Sequence, residues 1–307
     1  MNKIYYILLI LLISSCSIKE SVKKDRGNNN DLINRSERNF STEDMALLTS
    51  RSIVFFFKEN DTEHRAEIET AIKKVWDYTP IEFAYFSERN NYPSDMYAYF
   101  AIEGHTSSSS LHLYLTLTVQ YQVENNRGIK KDKSINYCRL DIMPKQLMFK
   151  NDGKSKSFLE MIYNNAEMNN WNASMLQTYL IDVQQHLKKN YRAFVYEEFA
   201  NEEHLDYLKD DTLFIPEYTL ERRLMATGKM HDTEKMLKDY PYNYKVVTLA
   251  ELNERITQGR EIYVFDFIVS STDKFVRIYS SQAGKVYQDY SHSSWGLKAK
   301  DFKNIYK

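Results

Sequence analysis

Three observations predict a mixed α/β fold. Residues 52–57, Ser-Ile-Val-Phe-Phe-Phe, form a short continuous apolar run, the pattern of a strand buried on both faces. Residues 174–188 place Met175, Leu176, Tyr179, Leu180, Val183 and Leu187 on one stripe at helical spacing, as a helix with one buried face requires. Residues 111–123 alternate strictly, with Leu111, Leu113, Leu115, Leu117 and Val119 facing one way and His112, Tyr114, Thr116, Thr118 and Gln120 the other. That period of two predicts an amphipathic strand with a polar outer face.

In order, the 52–57 strand leads into a helix capped by Asp61 or Thr62, with Ile68, Ala71, Ile72, Val75 and Trp76 on one face and Pro80 as its stop. Residues 81–86 read as a second strand. Residues 96–102 and 111–123 pair as a hairpin across 104–110, and residues 134–143 add an edge strand closed by Pro144. Helical patterning fills 158–168, 174–188 and much of 191–208. The apolar run 212–215 is then stopped by Pro216, and short helical segments follow at 219–225 and 233–238. A strand is expected at 245–247. Thr248 and Glu251 have capping-box spacing for a helix to Ile256, which Gly259 terminates. A hairpin of 262–269 with 274–280 and a strand at 284–290 complete the chain.

This order divides the chain into a first α/β subdomain at 51–145, a helical segment at 146–208 and a second α/β subdomain at 209–307. The fold expected is two mixed-sheet subdomains joined by helices. Ile53 and Leu213 open the two units, Trp76–Tyr78 and Tyr240–Tyr242 mark an aromatic turn in each, and Tyr97 and Tyr263 begin the hairpins. A duplicated β-α-β-β unit and a chance overlay of two α/β stretches both fit this correspondence.

The N-terminus is of another kind. Lys3 precedes an unbroken apolar run at residues 4–13, followed by Ser14, Ser15 and Cys16. A cation, an apolar stretch too short to span a bilayer and a small-residue exit are the layout of a secretory signal. An aliphatic residue, two small ones and a cysteine resemble the lipobox of bacterial lipoproteins. The resemblance implies removal of residues 1–15 and lipidation of Cys16. Residues 17–39 are polar and charged, too poor in apolar surface to fold alone. With the residues up to 50 they are expected to be a tether able to reach roughly 100 Å when extended. Leu208-Lys209-Asp210-Asp211-Thr212-Leu213-Phe214-Ile215-Pro216 and Tyr240-Pro241-Tyr242-Asn243-Tyr244-Lys245 give the body a likeness to uncharacterised lipoproteins of Bacteroidota-type bacteria. That likeness implies no activity.

Composition narrows the function classes. A net charge of −1 gives no basic excess for nucleic acid. There are only two cysteines, so a lipidated Cys16 leaves Cys138 alone in a strand-like segment, with a buried inert thiol as its expected state. With eight glycines in the chain, phosphate cradles are improbable. Gly153-Lys154-Ser155 lacks the required glycine at Met148, and Gly228-Lys229 lacks it at Arg223. The seven histidines form no metal motif. His105 and His112 could meet across the first hairpin, but surface or loop positions are the simpler expectation. Serine clusters at 107–110 and 291–294 lie in polar contexts unsuited to a fixed nucleophile. The remaining candidates are aromatic: Trp76, Tyr78, Tyr240, Tyr242 and Tyr244 as a binding groove, against core packing at helix-to-strand corners.

The sequence therefore predicts a lipid-anchored cell-envelope protein that acts by binding, as an accessory or assembly module with an envelope protein partner. It calls for no cofactor and no metal. The expected site is the outer membrane facing the periplasm, where Ser17 after the cysteine resembles the pattern for outer-membrane delivery. The alternative is an envelope hydrolase, or a glycan- or solute-binding lipoprotein, with a site assembled from dispersed residues.

Overall fold

A computed structural model describes residues 39–107, 110–124, 128–145, 161–164, 166–192, 198–221, 230–270, 273–292 and 296–306. The residues expected to form the signal, the lipidation site and the tether up to 38, and residues 158–160 of the helix expected over 158–168, lie outside these. The fold is α/β, with a five-stranded and a six-stranded mixed sheet.

The chain enters through helix α1 (Thr42–Thr49), whose first turn is closed by a capping box between Ser41 and Asp44. Strand β1 (Ser52–Phe57) follows, and its five apolar residues are all buried, as the run predicts. Helix α2 (Arg65–Val75) buries Ile68 and Ile72. Its start differs from expectation. Neither Asp61 nor Thr62 caps it: the N-cap position is His64, with no side-chain cap bond, and the Asp61 carboxylate accepts instead from the Lys58 backbone N–H at 3.0 Å and from Trp171 Nε1 at 2.8 Å. Strand β2 (Ile81–Tyr85) leads through a 3₁₀ turn at Phe86–Asn91 to the hairpin of β3 (Tyr97–Ser107) and β4 (Ser110–Glu124). This hairpin is longer than predicted. Gly104, expected in the loop, sits inside β3, where a Cβ would overlap the His112 carbonyl oxygen. A glycine marks a close backbone approach here rather than a turn. Strand β5 (Lys130–Ile142) forms the edge, carrying exposed Lys130, Lys131 and Lys133, which discourage edge-to-edge pairing.

Helix α3 (Ala173–Lys188) starts at Asn172, whose side chain accepts from the Met175 N–H. It packs against α2 on one side and the second sheet on the other. The second half contains β6 (Phe199–Ala200), α4 (Glu202–Asp210), β7 (Leu213–Pro216), a 3₁₀ turn at Glu217–Leu220, α5 (Thr233–Leu237) and β8 (Tyr244–Val247). Helix α6 (Leu249–Thr257), capped by Thr248 as predicted, is followed by β9 (Tyr263–Ser270), β10 (Asp273–Ser280), β11 (Gly284–His292) and α7 (Ala299–Asn304). The two-residue β6 and the final α7 have no counterpart in the sequence expectations, and α1 takes the last part of the expected tether into the fold, because Phe40, Met45 and Leu48 are buried in a hydrophobic core cluster.

Both sheets repeat one plan. The first runs β2-β1-β3-β4-β5 and the second β8-β7-β9-β10-β11, extended by β6. In each, the opening strand pairs in parallel with the next two, and antiparallel strands follow. Ile53 lies opposite Ile81 and Ala98, and Leu213 lies opposite Tyr244 and Tyr263. Tyr263 thus corresponds to Ala98, one residue from the Tyr97 that the sequence overlay matched. Two residues on, Phe100 faces Leu117 and Phe265 faces Ile278. At those matched positions each sheet has a bulge, with Tyr137 the extra residue on β5 and Val286 the extra residue on β11.

The predicted outer face of β4 is not outside. His112, Thr116 and Thr118 are buried, because β9 of the second sheet packs against β4 and β5. One core cluster includes the first sheet, α3, and Val264 and Tyr279 of the second sheet. A second cluster lies on the opposite face of the second sheet, under α4, α5 and α7.

Candidate functional site

The polar residues trapped between the sheets make the densest cluster of chemistry. Asp141 near the end of β5 receives Arg139 Nη2 at 3.0 Å on Oδ1 and Arg277 Nη2 at 3.4 Å on Oδ2. Burial pushes the Asp141 carboxyl up, but the Arg139 and Arg277 guanidiniums outweigh it and hold the pKa below the ordinary value. Arg277 also donates from Nε to Gln288 Oε1 at 2.9 Å. Its Nη1 lies 4.0 Å from Asp266 Oδ2, which receives the Tyr179 hydroxyl at 2.9 Å. Asn170 completes the ring, donating to Tyr179 Oη and to the Asp141 carbonyl. Burial raises Asp266 to about 6 despite the nearby arginine. Such shifts often mark active sites. None of these residues lines the clefts described below, however, and all but the partly buried Arg139 are buried. The arrangement fastens one sheet to the other.

Beside this network, His105 and His112 stack across the β3–β4 hairpin, with ring centroids 4.4 Å apart. His112 is buried, contrary to the surface position expected, and its Nδ1 lies 3.2 Å from Ser270 Oγ of β9. Burial first, and then the nearby positive charge of His105 and Arg139, lower its pKa to about 4. It is therefore neutral at neutral pH. Among the described residues no group of three or more His, Cys, Asp or Glu is placed to hold a metal ion.

Open space lies elsewhere. A cleft of about 1020 Å³ is formed where the head of β1, the loop before β3, the tail of β4 and the start of β5 converge. Arg51 sits in it with only 8% of its surface exposed. Its Nη1 donates to the carbonyls of Ser94 and Gln120, at 2.5 and 2.7 Å. No carboxylate comes within 4 Å of the guanidinium among the described residues. Asp95, Asp132 and Lys133, all exposed, bring charges of both signs to the lining. Two smaller clefts, of about 410 and 340 Å³, share Lys74, Gln177 and Ile256 and run between α2, α3 and α6. Gln184 closes the wall of the larger, accepting from the Asp77 and Tyr78 N–H groups and donating to the Val75 carbonyl.

The aromatic candidates separate into two groups. Trp76 is buried against Phe100 in the first core cluster, with Tyr78 packed beside it. Tyr240 is buried in the second, within ring contact of Tyr242, Tyr244, Phe302 and Tyr306. Only Tyr244 is exposed, and none of the five lines any of the three clefts. Cys16 lies outside the described residues. Cys138 is buried in β5, where desolvation pushes its thiol up to about 12. Sequence reasoning missed Arg51. The available signal was a cation directly ahead of a strand buried on both faces, where the side chain must find carbonyl partners or an opening to water.

No protein-family model, curated protein or solved structure matches this chain.

Proposed function

We propose that this protein is a lipid-anchored component of the bacterial cell envelope that works by binding a polar ligand. The anchor reading rests on Lys3, the apolar run at 4–13 and the Ser14-Ser15-Cys16 exit. No helix among the described residues is long and apolar enough to cross a membrane, and the lipid on Cys16 would supply the attachment. The outer membrane, periplasmic side, is the proposed location.

The observation carrying the binding reading is the cleft of about 1020 Å³ with a buried arginine in its lining. An assembly surface is expected to show a contiguous exposed apolar patch. Among the described residues the exposed large apolar side chains are Met96, Ile129, Phe199, Tyr207, Met230 and Tyr244, which lie on separate stretches of the chain. A concave polar site favours a soluble or polymeric ligand over a flat protein partner. This moves the proposal from the assembly module towards the ligand-binding alternative.

Two experiments test it. Labelled fatty acid should enter the wild-type chain and not Cys16→Ala; equal labelling of both removes the anchor. Chemical crosslinking of the anchored protein in intact envelopes, followed by mass spectrometry, should place ligand adducts on the cleft loops. Adducts confined to other surfaces would remove the binding site.

A further inference from the structure

We infer that the Arg51 cleft binds a short peptide through a free carboxylate at the guanidinium, with the peptide's ammonium group held by the acidic rim. This rests on the binding role proposed above and supplies its ligand class; it does not depend on lipidation.

Arg51 is the reason. A guanidinium withdrawn from water ordinarily has a carboxylate partner, because desolvation of an unpaired charge is costly. Arg51 is buried, yet the only protein hydrogen bonds of its guanidinium among the described residues are the two from Nη1 to the carbonyls of Ser94 and Gln120. Those bonds fix the plane of the group. Nε and Nη2 have no protein partner among the described residues, and the side chain lines the cleft. Two parallel N–H donors held rigidly are the arrangement that receives a carboxylate.

The rim decides what kind of carboxylate. Asp95 and Asp132 stand with Lys133 around the opening, so the four formal charges of the lining cancel. A polyanion would meet two carboxylates, whereas a zwitterion meets a cation at one end and acids at the other. Asp132 is already held by Gln122 Nε2 at 3.0 Å, which leaves Asp95 as the acid for an ammonium group. Gln120, Gln122, Ser94 and Ser134 supply the hydrogen-bonding groups that an amide backbone needs. The volume of about 1020 Å³ exceeds what a single amino acid fills, which favours a ligand of several residues.

The test is calorimetric titration of the full chain in detergent with alanine, trialanine, trialanine amide and N-acetyl-trialanine. Trialanine should bind, and amidation should weaken it roughly 10- to 100-fold, the scale of a charged hydrogen bond. N-acetylation should cost about three- to tenfold, and alanine should bind more weakly than trialanine. Arg51→Gln should abolish the preference for the free carboxylate. Arg51 also ties the loop before β3 to β4, so the exposed Asp95→Asn serves as a second variant whose folding is not in question. It should erase the effect of N-acetylation and leave that of amidation. Equal affinity for trialanine and its amide, absence of binding by all four, or an Asp95→Asn protein that still discriminates the acetylated peptide would overturn the inference. Such a failure leaves the binding role intact if envelope crosslinking still marks the cleft, so the two can fail separately.

Discussion

Arg277 of β10 reaches across the seam between the two sheets to Asp141 of β5, with Nη2 3.4 Å from Oδ2 and both side chains almost wholly buried. Arg139 holds the other oxygen of the same carboxylate. Each sheet thus contributes one guanidinium to a single acid. Replacing Asp141 by Asn should destabilise the protein by about 3–5 kcal/mol, because two desolvated cations lose their counter-charge. Arg277→Met should be similarly costly. The double variant should lose clearly less than the sum of the two, since it removes both desolvation penalties together. Urea denaturation of the four proteins measures the coupling, and strict additivity would contradict it.

The interior acid and the interior histidine titrate in opposing senses. Asp266, raised by burial to about 6, holds its proton more tightly in the folded state than in the unfolded chain. Its contribution is full below about 4 and falls as pH rises towards 6. His112, lowered chiefly by burial to about 4 from an ordinary 6.5, takes up its proton first in the unfolded chain. Its contribution is full above about 6.5 and is lost as pH falls through 4. Each slope is on the order of 3 kcal/mol over its window, so the wild type should change little between pH 4.5 and 6.5. Asp266→Asn should become more stable with rising pH over that range, and His112→Asn less stable. Denaturation midpoints at the two pH values suffice, and parallel profiles for both variants would refute the opposition.

Two glycines with positive φ make a controlled comparison. Gly284, at φ +74°, opens β11 so close to α3 that a Cβ would come 2.8 Å from Asp182 Cα. Gly259, at φ +76°, has nothing within 4 Å. Gly259→Ala should cost only the backbone strain, about 1 kcal/mol. Gly284→Ala adds an overlap with helix backbone and should cost about 2–4 kcal/mol. Thermal melts of the pair read the difference directly.

Thiol chemistry checks both cysteines. Cys138 is buried and its thiol is held up at about 12, so an aromatic disulfide reagent should not modify it in the native state. Under denaturant the protein isolated from cells should yield one reactive thiol if Cys16 carries lipid, and two if it does not. Rapid modification of the native protein would contradict the placement of Cys138.

How much of this was legible in the sequence follows from what each signal depends on. The run at β1 and the stripe on α3 are local patterns, and both elements appear with the predicted residues buried. Polar partners across the fold are not local. The alternation of β4 announced a strand correctly but placed His112 and Thr116 on an outer face. What buries them is a sheet more than a hundred residues further on. Asp141, Asp266 and Arg277 likewise look like ordinary charges in alternating strands until the sheets are stacked. The aromatic turns showed the opposite bias. Trp76 and Tyr240 attract attention as binding residues, yet size and apolar surface draw them into the two cores. Arg51 carries no motif at all. Only its three-dimensional burial beside open space sets it apart.

The matched bulges give the two halves a common coordinate system, and that system shows where they have parted. Counting from Phe100 and Phe265, the cross-strand pair Ala101–Thr116 occupies the place held in the other half by Asp266–Arg277. One step further, Arg139 stands where the second half has Gln288. The ionic residues that bind the halves together are therefore not symmetric copies. One half carries its arginine on the middle strand and the other on the outer strand, and the acid they share exists once. A seam built in this way has only one way to close. It specifies which half faces which, and it would not let two identical halves substitute for the pair.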